Sequence, residues 1–208
     1  MSEKEYKTPA HAATFTYEEK RSVFIGDVMP CTREEEALAF IESIRARYPD
    51  ARHHVYAYLL RENSKNRYSD DHEPQGTAGI PVLDVLRKGG LTDAVIVVTR
   101  YFGGVLLGAG GLVRAYTAAA AGAVKEAGVY YYRTYRPFEL ALSYPDYNKL
   151  LPTIESSEAR ILNTDFAEDV TLSLSIPEES YEELVGILTE TTAGRAIVVA
   201  GDPVFDHD

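Results

Sequence analysis

Asp93-Ala-Val-Ile-Val-Val-Thr99-Arg-Tyr-Phe-Gly-Gly-Val-Leu-Leu-Gly-Ala-Gly-Gly111 is the stretch from which the rest of this chain is best read. Residues 93–99 are almost purely aliphatic and β-branched, and unbroken apolarity of that kind predicts a strand buried on both faces. The glycines begin where the strand should end. A helix is expected from about residue 112 to 127, with Gly128 as its stop, and its alanine block at 118–121 lets neighbours approach closely. Upstream, residues 20–29 read as a strand closed by Pro30. Thr32 precedes Glu35 by the spacing of a capping box. Ala37, Ile41, Ile44 and Tyr48 then recur on one helical face until Pro49. A second strand is expected at 54–60, a functional loop at 61–76, and a helix at 78–87 with Pro81 tolerated in its first turn. The alternation of strand and helix indicates an α/β layer here.

Downstream the order is cleaner. Strand 138–144, helix 145–155, strands 159–166 and 169–176, helix 177–191 and strand 195–201 give β-α-β-β-α-β, the ferredoxin-like split βαβ. The expected fold class is α+β, with one domain at 1–135 and a second at 136–208. Charge changes at the same place: residues 1–136 hold 18 Lys+Arg against 17 Asp+Glu, and residues 137–208 hold 3 against 15. The acidic end should repel a polyanion, so any anion site belongs in the first domain.

The 208 residues are 45% hydrophobic and 25% charged, an ordinary globular composition that excludes a disordered tail, a collagen repeat and a disulfide scaffold. The longest aliphatic run, 94–98, is far short of the ~20 residues that span a bilayer, so no membrane partner is expected. The N-terminal residues lack the apolar stretch of a signal peptide. Cys31 is the only cysteine, which fits a reducing, cytoplasmic compartment.

Two stretches could carry chemistry. A buried strand running into Gly103, Gly104, Gly108, Gly110 and Gly111 is how backbone amides come to cradle an anion, and Arg100, Tyr101 and Arg114 flank it. No Gly-Lys-Ser/Thr follows, and Val113 stands where a dinucleotide fingerprint needs its third glycine. The glycines serve equally well for turns and tight helix–sheet packing. The second stretch runs from Arg67 to Gly79. Its Asp70, Asp71 and Glu73, with His53 nearby, could hold Mg²⁺ alongside a phosphate or divide acid and base roles. Equally, they form an acidic turn with Thr77 capping the next helix. His53, His54 and His72 lack zinc-ligand spacing. Cys31 reads as a packed thiol, Tyr130 to Tyr132 alternate faces and cannot make one stacking platform, and Glu178, Glu179, Glu182 and Glu183 read as a solvated helix face.

Asp50-Ala-Arg-His-His54, Ser69-Asp-Asp-x-Glu-Pro-x-Gly-Thr-Ala-Gly79 and Arg100-Tyr-Phe-Gly-Gly-x-Leu-Leu-Gly-x-Gly-Gly-Leu-Val-Arg-Ala-Tyr116 resemble the YigZ/IMPACT family, from about residue 15 to the end. His72 departs from it, since members usually carry glycine there. The resemblance implies a domain of the ribosomal-protein-S5 second-domain type followed by a ferredoxin-like domain, a pair similar to the last two domains of the translocating elongation factor. Eukaryotic members regulate translation under amino-acid starvation through an extra N-terminal domain. The expectation is therefore a non-catalytic, translation-associated protein. Its first domain would bind RNA or a ribosomal surface through Arg67, Arg100, Tyr101, Arg114 and the glycines. The alternatives are an enzyme binding a nucleotide or phosphorylated metabolite with Mg²⁺, and a module docking a translation-regulatory protein through the acidic domain.

Overall fold

Strand β6 (Ala94–Tyr101) runs through the larger of two units, with seven of its eight residues buried. In this computed structural model, which describes residues 5–207, the chain divides into Tyr6–Tyr131 and a second unit of Tyr132–Asp208 that also takes in Glu5. The continuous apolarity of β6 has a direct cause. Val95 and Val97 pack under α1 (Glu34–Arg47) with Ala37, Ile41 and Ile44. Ala94, Ile96 and Val98 face α2 (Gly79–Lys88) and α3 (Gly108–Ala127). Each large aliphatic side chain so buried contributes about 1.5–3 kcal/mol.

The sheet order is β2 (Ala13–Glu19), β3 (Ser22–Pro30), β6, β4 (His53–Leu59), β5 (Asn66–Ser69). Every pairing along it is antiparallel, so the alternation of strand and helix does not make the α/β layer it suggested: β3 and β4 both pair with β6, and the intervening helices lie on opposite faces. β1 (Tyr6–Pro9) adds a parallel bridge from Lys7 to Leu91. Helix α3 sits close over β3 because Gly26 has no Cβ to strike the Ala119 carbonyl.

Four local expectations are corrected. The helix after Pro30 is capped one residue later than Thr32–Glu35 implies: Arg33 is the N-cap, and Glu36 accepts from the backbone N–H groups of Thr32 and Arg33. Residues 61–76 are not all loop, since β5 pairs with β4 as an edge strand whose first three residues are exposed, which is why it reads as polar. Helix α3 starts at Gly108, so the free glycine loop shortens to 102–107. The β2–β3 hairpin closes through Lys20 and Arg21, both at positive φ without any glycine to announce it.

The second unit is built from β7 (Val129–Leu142), α4 (Tyr144–Ser156), β8 (Arg160–Phe166), β9 (Val170–Pro177), α5 (Glu178–Thr191) and β10 (Ile197–Ala200). The antiparallel order β10-β7-β9-β8 is that of the ferredoxin-like fold. A further strand, β11 (Val204–His207), extends the pairing along β7. Leu140, Leu150, Ile154, Leu172 and Leu188 make a core that is entirely inaccessible to solvent. The chain is thus mixed α+β, with an N-terminal α/β-layered-looking but antiparallel domain followed by a ferredoxin-like one. Among the described residues no helix is long and apolar enough to cross a membrane.

Candidate functional site

At the end of the larger unit's sheet where β6 finishes and β4 begins, strand register puts Phe24, Arg100 and His53 in one row. Paired residues on neighbouring strands share a face, and this row faces α2 and α3. Arg100 is only 7% exposed. Its Nη1 donates to Glu73 Oε1 at 2.5 Å, and Tyr116 Oη from α3 donates to the same oxygen at 2.8 Å. His53 Nε2 stands 4.0 Å from that oxygen. The guanidinium lies 5.3 and 5.6 Å from the centroids of the Phe24 and Phe102 rings, and its Nε finds no acceptor among the described residues. Burial, reinforced by the Glu73 carboxylate, pushes the Tyr116 phenol well above its ordinary value. It therefore remains a hydrogen-bond donor to Glu73 at any physiological pH.

The segment between β5 and α2 delivers Glu73 to this row by spending its other acids on the backbone. Asp70 Oδ1 accepts from the N–H groups of Ala78 and Gly79, and its Oδ2 accepts from Gly76. The carboxylate thereby satisfies amides at the start of α2 that a helix leaves unpaired. Asp71 Oδ2 accepts from His54 N–H at 2.6 Å, while His53 Nδ1–H donates to the Asp71 carbonyl at 2.8 Å. Asp71 and His72 both take positive φ, 41° and 70°, which turns the chain inward. Asp70, Asp71 and Glu73 consequently engage different partners, and no group of three acidic, histidine or cysteine ligands with metal-holding geometry exists among the described residues. Asp70 and Asp71 tether backbone amides, while Glu73 accepts from the Arg100 and Tyr116 side chains. Thr77 does not cap α2 with its side chain; its hydroxyl donates to the Pro74 carbonyl.

The glycines separate into three uses. Gly103 lies against the backbone of Arg21 and Ser22, where a Cβ would collide, and its N–H donates to Ser22 Oγ. Gly104 and Gly108 take φ of 81° and 70° with open space around them. Gly111 packs on Leu107, while Gly110 lies under the Arg114 guanidinium on the exposed face of α3. The 102–107 segment projects Phe102, 54% exposed, and Leu106, 84% exposed.

The structure does not bring Arg67, Arg100 and Arg114 onto one surface. Arg67 is on the edge strand β5, on the α1 face, with Nε 3.5 Å from Glu34. Arg100 is buried in the Glu73 pair. Tyr101 points to the opposite face from Arg100 and donates to Asp50 at 2.8 Å. Of the three arginines only Arg114 is exposed beside the glycines. Spacing missed two further cations, Lys20 and Arg21, exposed at the hairpin turn whose backbone presses against Gly103. Phe102 was missed as well, although an aromatic followed by two glycines at a strand end was the available signal. Cys31 is buried with its thiol pushed up to about 12 by burial and by Glu36 and Asp93, in keeping with a packed, unreactive role.

Comparison with known proteins matches the Impact N-terminal domain to residues 20–124 and a domain of unknown function (DUF1949) to residues 140–195. The chain is 36% identical over 199 residues to an IMPACT family member of Haemophilus influenzae, covering 93% of this chain and 96% of that one. It is 33% identical over 187 residues to the IMPACT family member YvyE of Bacillus subtilis, covering 89% and 86%. A crystal structure described as that of a hypothetical protein superposes with a TM-score of 0.59 at 32% identity, over 97% of this chain and 98% of that one.

Proposed function

The chain belongs to the IMPACT family, and from that premise we propose that it is a non-catalytic, translation-associated protein whose larger unit binds single-stranded RNA at the 102–107 loop. One observation carries this reading: an exposed Phe102 and a glycine-rich backbone stand beside Lys20, Arg21 and Arg114 at one end of the sheet. An aromatic platform with flanking cations is the sequence-tolerant way to hold single strands, the ring stacking on bases and the cations meeting phosphates. The buried Arg100–Glu73–Tyr116 knot acts beneath it as a support. A non-catalytic role is supported by the site's carboxylates, all of which are committed to protein donors.

Fluorescence anisotropy with a single-stranded RNA oligomer across a salt series tests this. Each phosphate contact contributes about −0.7 to the log–log salt slope. Replacing Lys20, Arg21 and Arg114 together with alanine should therefore flatten the slope by about 2. Phe102→Ala should weaken binding by roughly 1–3 kcal/mol and leave the slope alone. A folded triple variant with an unchanged slope would overturn the assignment.

A further inference from the structure

The smaller unit carries a cleft of about 290 Å³ between the end of α4 and the first turns of α5. Its floor is apolar: Ile176 from β9 and Leu184 from α5 lie buried at its base, and Ile187 from α5, 40% exposed, presents the accessible apolar surface. Its rim is polar and acidic. Thr153 and Ser156 stand on the α4 side, Ser180 and Glu183 on the α5 side, and Glu158 closes the end, accepting from Ser180 at 2.7 Å and from Arg133 at 3.3 Å. Glu155, Glu182 and Glu183 are exposed on these helices and have no ion-pair partner among the described residues. The carbonyl end of α4 adds negative potential to the same side.

We infer that this cleft docks a basic, amphipathic segment of a partner protein, one apolar side chain seated on Ile176, Leu184 and Ile187 and its lysines or arginines meeting the acidic rim. The argument is charge complementarity around an apolar seat. Residues 137–208 hold 15 acids against 3 bases, so an apolar anchor arriving with negative or neutral flanks gains nothing from the rim, whereas a cationic one is both attracted and oriented. The cleft is too small for a folded surface but admits one large side chain from a helix laid along the two helices, the helix-in-groove mode in which anchors recur at i, i+3 or i+4. Nucleic acid is disfavoured there by the same acids that attract a cation.

The test uses the full chain and a labelled amphipathic peptide of leucine and lysine, followed by anisotropy at low and moderate salt. A companion peptide keeps the lysines and carries serine in place of leucine. The proposal expects the leucine peptide to bind and the serine peptide to bind at least roughly fivefold more weakly. Glu183→Lys and Ile187→Ser should each weaken the leucine peptide by about fivefold to tenfold, since charge and anchor act together. Asp165→Lys, the same charge change on β8 away from the cleft, should change affinity less than twofold. Equal losses for Asp165→Lys and Glu183→Lys would mean bulk charge alone is felt, and would overturn the proposal. So would absence of binding, wild-type affinity in Ile187→Ser, or displacement of the peptide by spermidine at similar concentrations in wild type and Ile187→Ser. Circular dichroism confirms that each variant is folded; all three substituted side chains are exposed, so folding is expected to survive.

Discussion

Among the described residues of the larger unit the deepest ion pair is Arg100–Glu73, with side chains 7% and 4% exposed, while in the smaller unit Arg195–Asp146 leaves its arginine 62% exposed and its aspartate 9%. The two pairs do different work. Arg100 and Glu73 have exchanged water for each other, for Tyr116 and for two aromatic rings, so neither can be removed without stranding the other in a dry interior. Arg195 keeps most of its hydration, while the buried Asp146 is also held by the Ser143 hydroxyl, so this pair is dry on one side only and contributes less. The buried pair fixes where β6, α3 and the segment after β5 meet, which holds the 102–107 loop in place. In the smaller unit Asp146 is buried but its arginine is not, and Arg136–Glu178 is half-buried, with side chains 24% and 38% exposed.

The largest effect that could break this contrast is truncation of Glu73. Glu73→Ala should lower stability by about 3–5 kcal/mol, the usual consequence of leaving one buried charge uncompensated. Urea denaturation reads it as a lower midpoint. Arg195→Ala should lower the midpoint less in the same measurement, since the Ser143 hydroxyl still donates to Asp146 and water replaces the exposed guanidinium. Equal midpoints for the two variants would erase the distinction drawn between the units.

Acidification should separate the units in sign. Burial raises the Asp27 carboxyl in the larger unit above the ordinary 3.8, against the Thr14 hydroxyl and Arg47, which pull it down, and its Oδ2 has no partner among the described residues. A carboxyl raised on folding binds its proton more tightly in the native state, so its contribution grows as pH falls through the folded value and saturates below the unfolded one. In the smaller unit, hydrogen bonds from Arg195 lower Asp146, and those from Arg136 lower Glu178. Their contributions are complete above the unfolded values and are lost as pH falls through the folded ones. Melting curves from pH 7 to pH 3 should show Asp27→Asn losing ground to wild type on acidification, and Asp146→Asn gaining on it. Parallel curves for the two variants would contradict the contrast.

What the sequence made legible follows the same division. Elements with one-sided or two-sided burial declared themselves: β6 by unbroken apolarity, α1 by the spacing of Ala37, Ile41 and Ile44, and β9 by alternation. In the smaller unit six elements in order were enough to identify the ferredoxin-like arrangement, since its strands and helices carry ordinary amphipathic patterns. The hairpin at Lys20 and Arg21 was hidden because its left-handed residues are not glycine or asparagine. β5 was hidden because an exposed edge strand has no apolar face to show. The site was legible as a set of motifs and illegible as a geometry. Arg100 and Glu73 lie 27 positions apart, and nothing local says that Glu73, rather than Asp70 or Asp71, turns inward. One part was within reach: alternation along β6 puts Arg100 on the face of Ile96 and Val98, and so inside, with Tyr101 opposite.

The smallest effect concerns the turn that sends Glu73 inward. Asp71 and His72 occupy left-handed backbone in succession, a conformation that costs a side-chain-bearing residue about 1–2 kcal/mol relative to its normal range. Aspartate tolerates it through its own hydrogen bonding, and Asp71 has such a bond to His54 N–H. His72 has no comparable compensation: its side chain is exposed and makes no hydrogen bond among the described residues. Glycine at this position would remove the strain and return about 0.5–1 kcal/mol of it through the freedom glycine gives the unfolded chain. His72→Gly should therefore raise stability by up to about 1 kcal/mol. His72→Ala keeps the Cβ and hence the strain, so it should not gain. The pair separates backbone from side chain in one urea experiment, and equal stability of the two variants would show that the turn is not strained at His72.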